Sequence, residues 1–128
     1  MRVLIVDDNQ VNRRLVREVL NHKGHASEEA ETAAEAIAAL ERRPLPDVVL
    51  LDIDLPGGGL TVLAHARASP SPELAKLPVI ALTALAMRGD RERLLAAGCD
   101  GYISKPIGVR TFLAEIESVV AACRKVRP

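Results

Sequence analysis

Short strand-like runs alternate five times with stretches of helical spacing along this 128-residue chain. The runs are Val3–Val6, a weaker and more polar His25–Ala30, Val48–Leu51, Val79–Leu82 and Gly101–Ser104. The helical stretches run from Asn9 to about His22, from a Thr32 cap to the Pro44/Pro46 pair, Leu60–Ala68, Ala86–Ala97, and about Val109 to Arg124. Parallel strands need crossovers, and an amphipathic helix after each strand supplies one. The expected fold class is therefore α/β, a doubly wound five-stranded parallel sheet with helices on both faces. Right-handed crossovers restrict the strand order to a few arrangements.

Within the elements, the apolar spacing predicts which faces are buried. Val11, Leu15, Val19 and Leu20 form the expected core stripe of the first helix, leaving Arg13, Arg14 and Arg17 as a solvated face. On that helix a docking surface for a partner is the competing reading. Thr32 with Glu35 three residues on is a capping box, and Ala33, Ala36, Ile37 and Leu40 carry the second helix's core face. Leu60, Leu63 and Ala64 do so for the third, Leu94 and Leu95 for the fourth, and Phe112, Leu113, Ile116, Val119, Val120 and Cys123 for the last. Ser69–Pro78, punctuated by prolines, reads as a loop. Lys23-Gly24 and Gly98 read as helix stops.

Composition removes several function classes. Seventeen basic residues against 17 acidic ones leave no basic field for nucleic acid, and Phe112 and Tyr102 are the sole aromatics, too few for stacking on bases. No apolar stretch approaches a membrane span, and Met1 leads into a strand rather than a signal peptide. Cys99 and Cys123 have no metal-ligand spacing and read as small apolar residues in a reducing cytoplasm. His22, His25 and His65 follow no ligand pattern. The length suits one domain, residues 1–128, as a monomer or weak dimer.

The chemistry sits where strands end. The apolar run Val48–Leu51 is short, bounded by Pro46 and Pro56, and closes on Asp52. Asp7 and Asp8 follow the first strand, Thr83 the fourth and Lys105 the fifth. In a doubly wound sheet these carboxyl ends share one edge, where such folds bind ligands. Carboxylates brought to 4 Å repel by roughly 4 kcal/mol per pair at an effective dielectric near 20, so the group needs a cation. Hard oxygen ligands favour Mg²⁺, and Mn²⁺ would suit the same set. Asp52 is then the expected nucleophile toward a phosphoryl group, with Lys105 and Thr83 on its oxygens.

Together these motifs resemble the receiver domain of two-component response regulators, the CheY-like superfamily. The carriers are Asp7-Asp8-Asn9, Asp52 with Pro56 four on, Thr83-Ala84 and Lys105-Pro106. The stretch TALAMRGDRERLLAAGCDGYISKPI looks like the single-domain regulators of the DivK type, and DDNQVNRRLVREVL like receivers carried on hybrid histidine kinases. The resemblance implies strand order 2-1-3-4-5. It implies that Asp52 accepts phosphate from the phosphohistidine of a histidine kinase or histidine phosphotransferase. It also implies Mg²⁺ held by Asp8, Asp52 and the backbone carbonyl of Asp54, with Asp7 on metal waters. Thr83 and Tyr102 would form a switch pair acting on the surface of the fourth helix, fifth strand and fifth helix, where a downstream protein docks. The resemblance also suggests a cis bond at Lys105-Pro106.

One departure is local. Receivers keep a glycine and an apolar residue at the start of the third helix, and here Gly59-Leu60 comes one residue early, inside Gly57-Gly58-Gly59. A shortened, more mobile loop is expected beside Asp52. Two other functions compete. Asp52-x-Asp54 resembles the acid pair of haloacid-dehalogenase-like phosphohydrolases, although Asp7-Asp8 lies on the wrong side of it. A pseudo-receiver, an interaction module indifferent to phosphorylation, is the second.

Overall fold

The computed structural model describes residues 1–84 and 90–126, with the side chains of residues 90 and 124–126 excepted. Five strands, β1 Arg2–Val6, β2 Ala26–Ala30, β3 Val48–Asp52, β4 Val79–Thr83 and β5 Gly101–Ser104, pair in parallel in the order β2-β1-β3-β4-β5. The helices are α1 Gln10–His22, α2 Ala33–Leu40, α3 Gly59–Arg67, α4 Pro72–Ala75, α5 Asp90–Ala97 and α6 Phe112–Val126. The one-turn α4 interrupts the expected loop because Leu74 and, just after it, Leu77 bury against the sheet-side core. The fourth and fifth helices of the sequence reading are thus α5 and α6. The expected start of α5 at Ala86 falls outside the described residues. Helix α6 begins at Phe112, since Val109 lies in a turn and is half exposed.

Successive residues of the central strands bury on opposite faces, which is why their sequences are continuously apolar. Leu4, Val6, Val49, Leu51, Val79 and Ala81 pack with α2, α3 and Leu94 of α5. Val3, Ile5, Val48, Leu50, Ile80 and Leu82 pack with Val16 and Leu20 of α1 and with Phe112, Ile116 and Val120 of α6. Polar β2 forms one edge, as expected.

Several helix faces differ from the periodicity reading. On α1 the buried residues are Arg13, Val16 and Leu20, while Val11 is 75% exposed. The α1 stripe is rotated because its C-terminal half, not Val11, faces β1 and α6. On α3 the buried set is Gly59, Val62, Leu63 and Ala66, with Leu60 turned to solvent, and on α5 Leu95 is likewise exposed. The Thr32 cap is present: Glu35 N–H donates to Thr32 Oγ1 at 3.2 Å, while Glu35 Oε2 accepts from Glu31 N–H instead of Thr32 N–H. At the end of α1, Gly24 adopts φ +79°, and His25 N–H donates to Leu20 O across the turn. Among the described residues no helix is long and apolar enough to cross a membrane.

Candidate functional site

Parallel strands bring their carboxyl ends to one edge, so Asp7, Asp8, Asp52, Thr83 and Lys105 gather there. Register does the fine placement. Asp52 pairs with Leu82, and Ile53 N–H donates to Leu82 O, so β4 ends one residue beyond the acid, at buried Thr83. Lys105 N–H donates to Thr83 O at 2.8 Å, which ties the end of β5 to that of β4. The Lys105–Pro106 peptide is cis.

One carboxylate oxygen from each of Asp7, Asp8 and Asp52 lies within 4.8 Å of the other two. Asp7 and Asp52 are buried, at 1% and 3% exposure, and Asp8 opens to solvent. The ammonium of Lys105 bridges the buried two, with Nζ 3.1 Å from Asp7 Oδ2 and 3.2 Å from Asp52 Oδ2. The other oxygens are held from the backbone: Asn9 N–H donates to Asp7 Oδ1 at 2.9 Å, and Asp54 N–H to Asp52 Oδ1 at 3.0 Å. Asn12 Nδ2 donates to Asp7 Oδ2 at 3.4 Å.

Burial pushes the Asp52 carboxyl above its ordinary range, and the Asp7 charge adds to this. The Asp54 N–H bond and the Lys105 charge oppose it without cancelling it. For Lys105 burial works downward, but its hydrogen bond and charge interactions with Asp7, then Asp52, outweigh that and raise it. Lys105 therefore stays charged and compensates one of the three formal negative charges. Two remain. An all-oxygen donor set with that residual charge, open toward solvent at Asp8, fits a hard divalent ion such as Mg²⁺.

Helix α3 starts directly against the site. A Cβ at Gly59 would lie 2.5 Å from Asp52 O and 2.7 Å from Ile53 Cα, so only glycine admits this approach. The loop before it is bonded along its length: Gly58 N–H donates to Leu55 O, Gly59 N–H to Ile53 O, and Pro56 O accepts from Ala33 N–H of α2. With Leu55 buried, the loop is tied to α2 and to the residues just after β3. Asp54 is exposed beside Asp52, and Tyr102 is half-buried on β5, packed against the α2/α3-side core.

Arg13 is the residue that sequence reasoning missed. It is buried, not solvated, and its Nη1 donates to Asp7 O at 2.8 Å. Its Nε and Nη2 pair with Glu29 Oε1 and Glu31 Oε1 at 3.2 and 2.9 Å. The signal was present: Arg13, Val16 and Leu20 share one helical face, and it is opposed by acids at Glu29 of β2 and at Glu31 just after it. Arg14 is exposed as expected, and Arg17 reaches Glu29 from the rim.

The response regulator receiver domain family matches residues 3–117. The polar-differentiation response regulator DivK of Brucella ovis is 42% identical over 117 residues, 91% of this chain and 93% of that protein. Among solved structures, the receiver domain of the Pseudomonas aeruginosa sensor histidine kinase PA1611, with a magnesium ion coordinated in its active-site cleft, is 30% identical with a TM-score of 0.82, covering 94% of this chain and 97% of that one. A CheY-like receiver domain protein from Methanospirillum hungatei is also 30% identical at a TM-score of 0.82, over 97% and 96% of the two chains. The chain belongs to the response regulator receiver family and is a phosphoacceptor domain of two-component signalling, not the haloacid-dehalogenase-like hydrolase that Asp52-x-Asp54 also allowed.

Proposed function

We propose that Asp52 is the phosphoacceptor and that residues 1–128 act as a single cytoplasmic receiver domain, monomeric or weakly dimeric. The phosphoryl group comes from the phosphohistidine of a histidine kinase or histidine phosphotransferase. The observation that carries this reading is the Lys105 ammonium spanning Asp7 and Asp52, with Asp8 alongside. Asp8, Asp52 and the carbonyl of Asp54 would hold Mg²⁺, with Asp7 on its water ligands. Bound there, the ion supplies positive charge against the incoming phosphoryl oxygens.

The remaining work belongs to the chain. The backbone N–H of Asp54 fixes Asp52 Oδ1, which leaves the carboxylate oriented for in-line attack. As the P–O bond to Asp52 forms, the P–N bond to histidine breaks, and the leaving nitrogen keeps that electron pair. The carboxylate loses its charge in becoming an acyl phosphate. Lys105 is then free to pair with a phosphoryl oxygen while still held by Asp7. The hydroxyl of Thr83 donates to another oxygen, and Tyr102 responds by turning further inward.

Downstream, the face built by α5, β5 and α6 changes with Tyr102 and binds a partner protein. A groove of about 960 Å³ lies there, lined by Tyr102, Arg91, Leu95, Arg110 and Glu115 among others. Incubation with acetyl phosphate or a phosphorylated histidine kinase, with Mg²⁺, should label the native chain and leave Asp52→Asn unlabelled. Labelling that survives in Asp52→Asn, or no labelling of the native chain by any donor, rejects the assignment.

A further inference from the structure

We propose that Arg13 is a positioning residue for the divalent-metal site, acting through the backbone of Asp7. The proposal rests on the assignment of Asp7, Asp8 and Asp52 as the Mg²⁺-binding group. Strand β1 ends at Val6, so the carbonyl of Asp7 lies beyond its ladder, in a residue 1% exposed. A buried carbonyl in that position needs a donor from elsewhere. Arg13 Nη1 supplies it at 2.8 Å. On the other side of the same residue, Asp7 N–H donates to Ala30 O of β2.

The guanidinium is itself held on the side away from Asp7, where Glu29 takes Nε and Glu31 takes Nη2. A planar fork with fixed donor directions is suited to this, whereas an ammonium on a flexible stem is a point charge without that fixed geometry. The result is a bracket. Strand β2 and helix α1 grip the backbone of Asp7 through Ala30 O and Arg13, so that its carboxylate points at Lys105 and Asp52. The same β2–α2 corner also holds the loop after Asp52, through Ala33 N–H to Pro56 O. Partners that orient ligands without touching the metal commonly change its affinity by about 10- to 100-fold when removed.

The test is Arg13→Met, which keeps the aliphatic stem, compared with Arg17→Met, which removes an ion pair to the same strand but no bond to Asp7. Mg²⁺ affinity is measured by calorimetric titration, and the local effect by hydrogen exchange at Asn9 N–H, which is bonded to Asp7 Oδ1. In Arg13→Met, Mg²⁺ should bind about tenfold more weakly and Asn9 should exchange faster, with phosphorylation recovering at saturating Mg²⁺. Arg17→Met should titrate like the native chain. Arg13→Lys should fall between, about threefold weaker, and it replaces Arg13→Met if that variant does not fold. A folded Arg13→Met or Arg13→Lys with native Mg²⁺ affinity makes Arg13 a purely structural residue and overturns the proposal. Loss of affinity in Arg17→Met equal to that in Arg13→Met does the same. A native chain that takes up no Mg²⁺ instead rejects the metal assignment on which the proposal rests.

Discussion

Asp52 is buried where its chemistry needs it, at the expense of the fold. Its carboxyl is raised by burial and by the neighbouring Asp7 charge, so ionising it costs more in the folded protein than in the unfolded chain. That penalty is absent below about pH 3.8, the ordinary value, and complete once the pH has risen through the raised folded value. Asp52→Asn removes it. In the absence of Mg²⁺ this variant should be more stable than the native chain at neutral pH by about 1 kcal/mol, or roughly 3–5 °C in Tm. The gap should close as the buffer is taken toward pH 4, in chemical unfolding curves collected across that range. A gap independent of pH would place the effect elsewhere. Lys105 behaves in the opposite window: its raised value means that its contribution is intact below pH 10.5 and is lost as the pH climbs through the folded value. Mg²⁺ acts at the same residues by mass action. At a hundredfold excess over Kd it should stabilise the native chain by about 2.7 kcal/mol, reversed by a chelator and largely absent in Asp8→Asn.

At the scale of elements, glycines separate site effects from fold effects. Helix α3 abuts Asp52 because Gly59 has no Cβ; adding one would place it 2.5 Å from Asp52 O, where backbone must move. Gly59→Ala should cost about 1–3 kcal/mol as an overpacking change and slow phosphorylation by displacing the acceptor strand end. Gly24→Ala is the control. Its Cβ would meet nothing within 4 Å, but φ is +79°, so strain alone should cost about 1 kcal/mol and leave phosphorylation unchanged. Equal phosphorylation rates in the two variants would show that α3 does not position Asp52. The prolines near Ser69–Pro78 do not prevent a turn of helix at Pro72–Ala75, because proline suits the first helical position and Leu74 has a core to enter.

The whole molecule keeps its two sheet edges distinct. Opposite the acid cluster, at the amino ends of β4 and β5, Arg67 gives all its guanidinium nitrogens to neighbours. It donates to Gly98 O, Ala75 O, Leu77 O and Asp100 Oδ2, joining α3, the end of α4, the end of α5 and the entry to β5. Asp100 Oδ2 also accepts from Val79 N–H. Burial beside this hub pushes the Cys99 thiol up to about 11, so it stays protonated and unreactive at neutral pH. Arg67→Met strands several carbonyls and should cost about 2–4 kcal/mol in urea unfolding. Mg²⁺ affinity should be unchanged, since the contacts of Arg67 lie at the opposite ends of the strands from Asp52. A weakened metal site in that variant would mean that the two edges are coupled.

Strand periodicity, the acids at strand ends and the Thr32 cap were readable in one dimension because each depends on neighbours a few residues away. Those local patterns, with the order of the motifs along the chain, determined the α/β class and the residues that meet around Asp52. Tertiary structure alone decided which stripe of α1, α3 and α5 turned inward, since a 3.6-residue period permits adjacent stripes and only the facing sheet selects one. It decided the fate of Arg13 for the same reason: an arginine enters a core only where acceptors from a distant part of the chain await it, and Glu29 and Glu31 lie 16 and 18 residues away. It also decided that three glycines form a bonded loop, because the partners, Ala33 of α2 and Ile53 beyond β3, come into reach only when the sheet has closed.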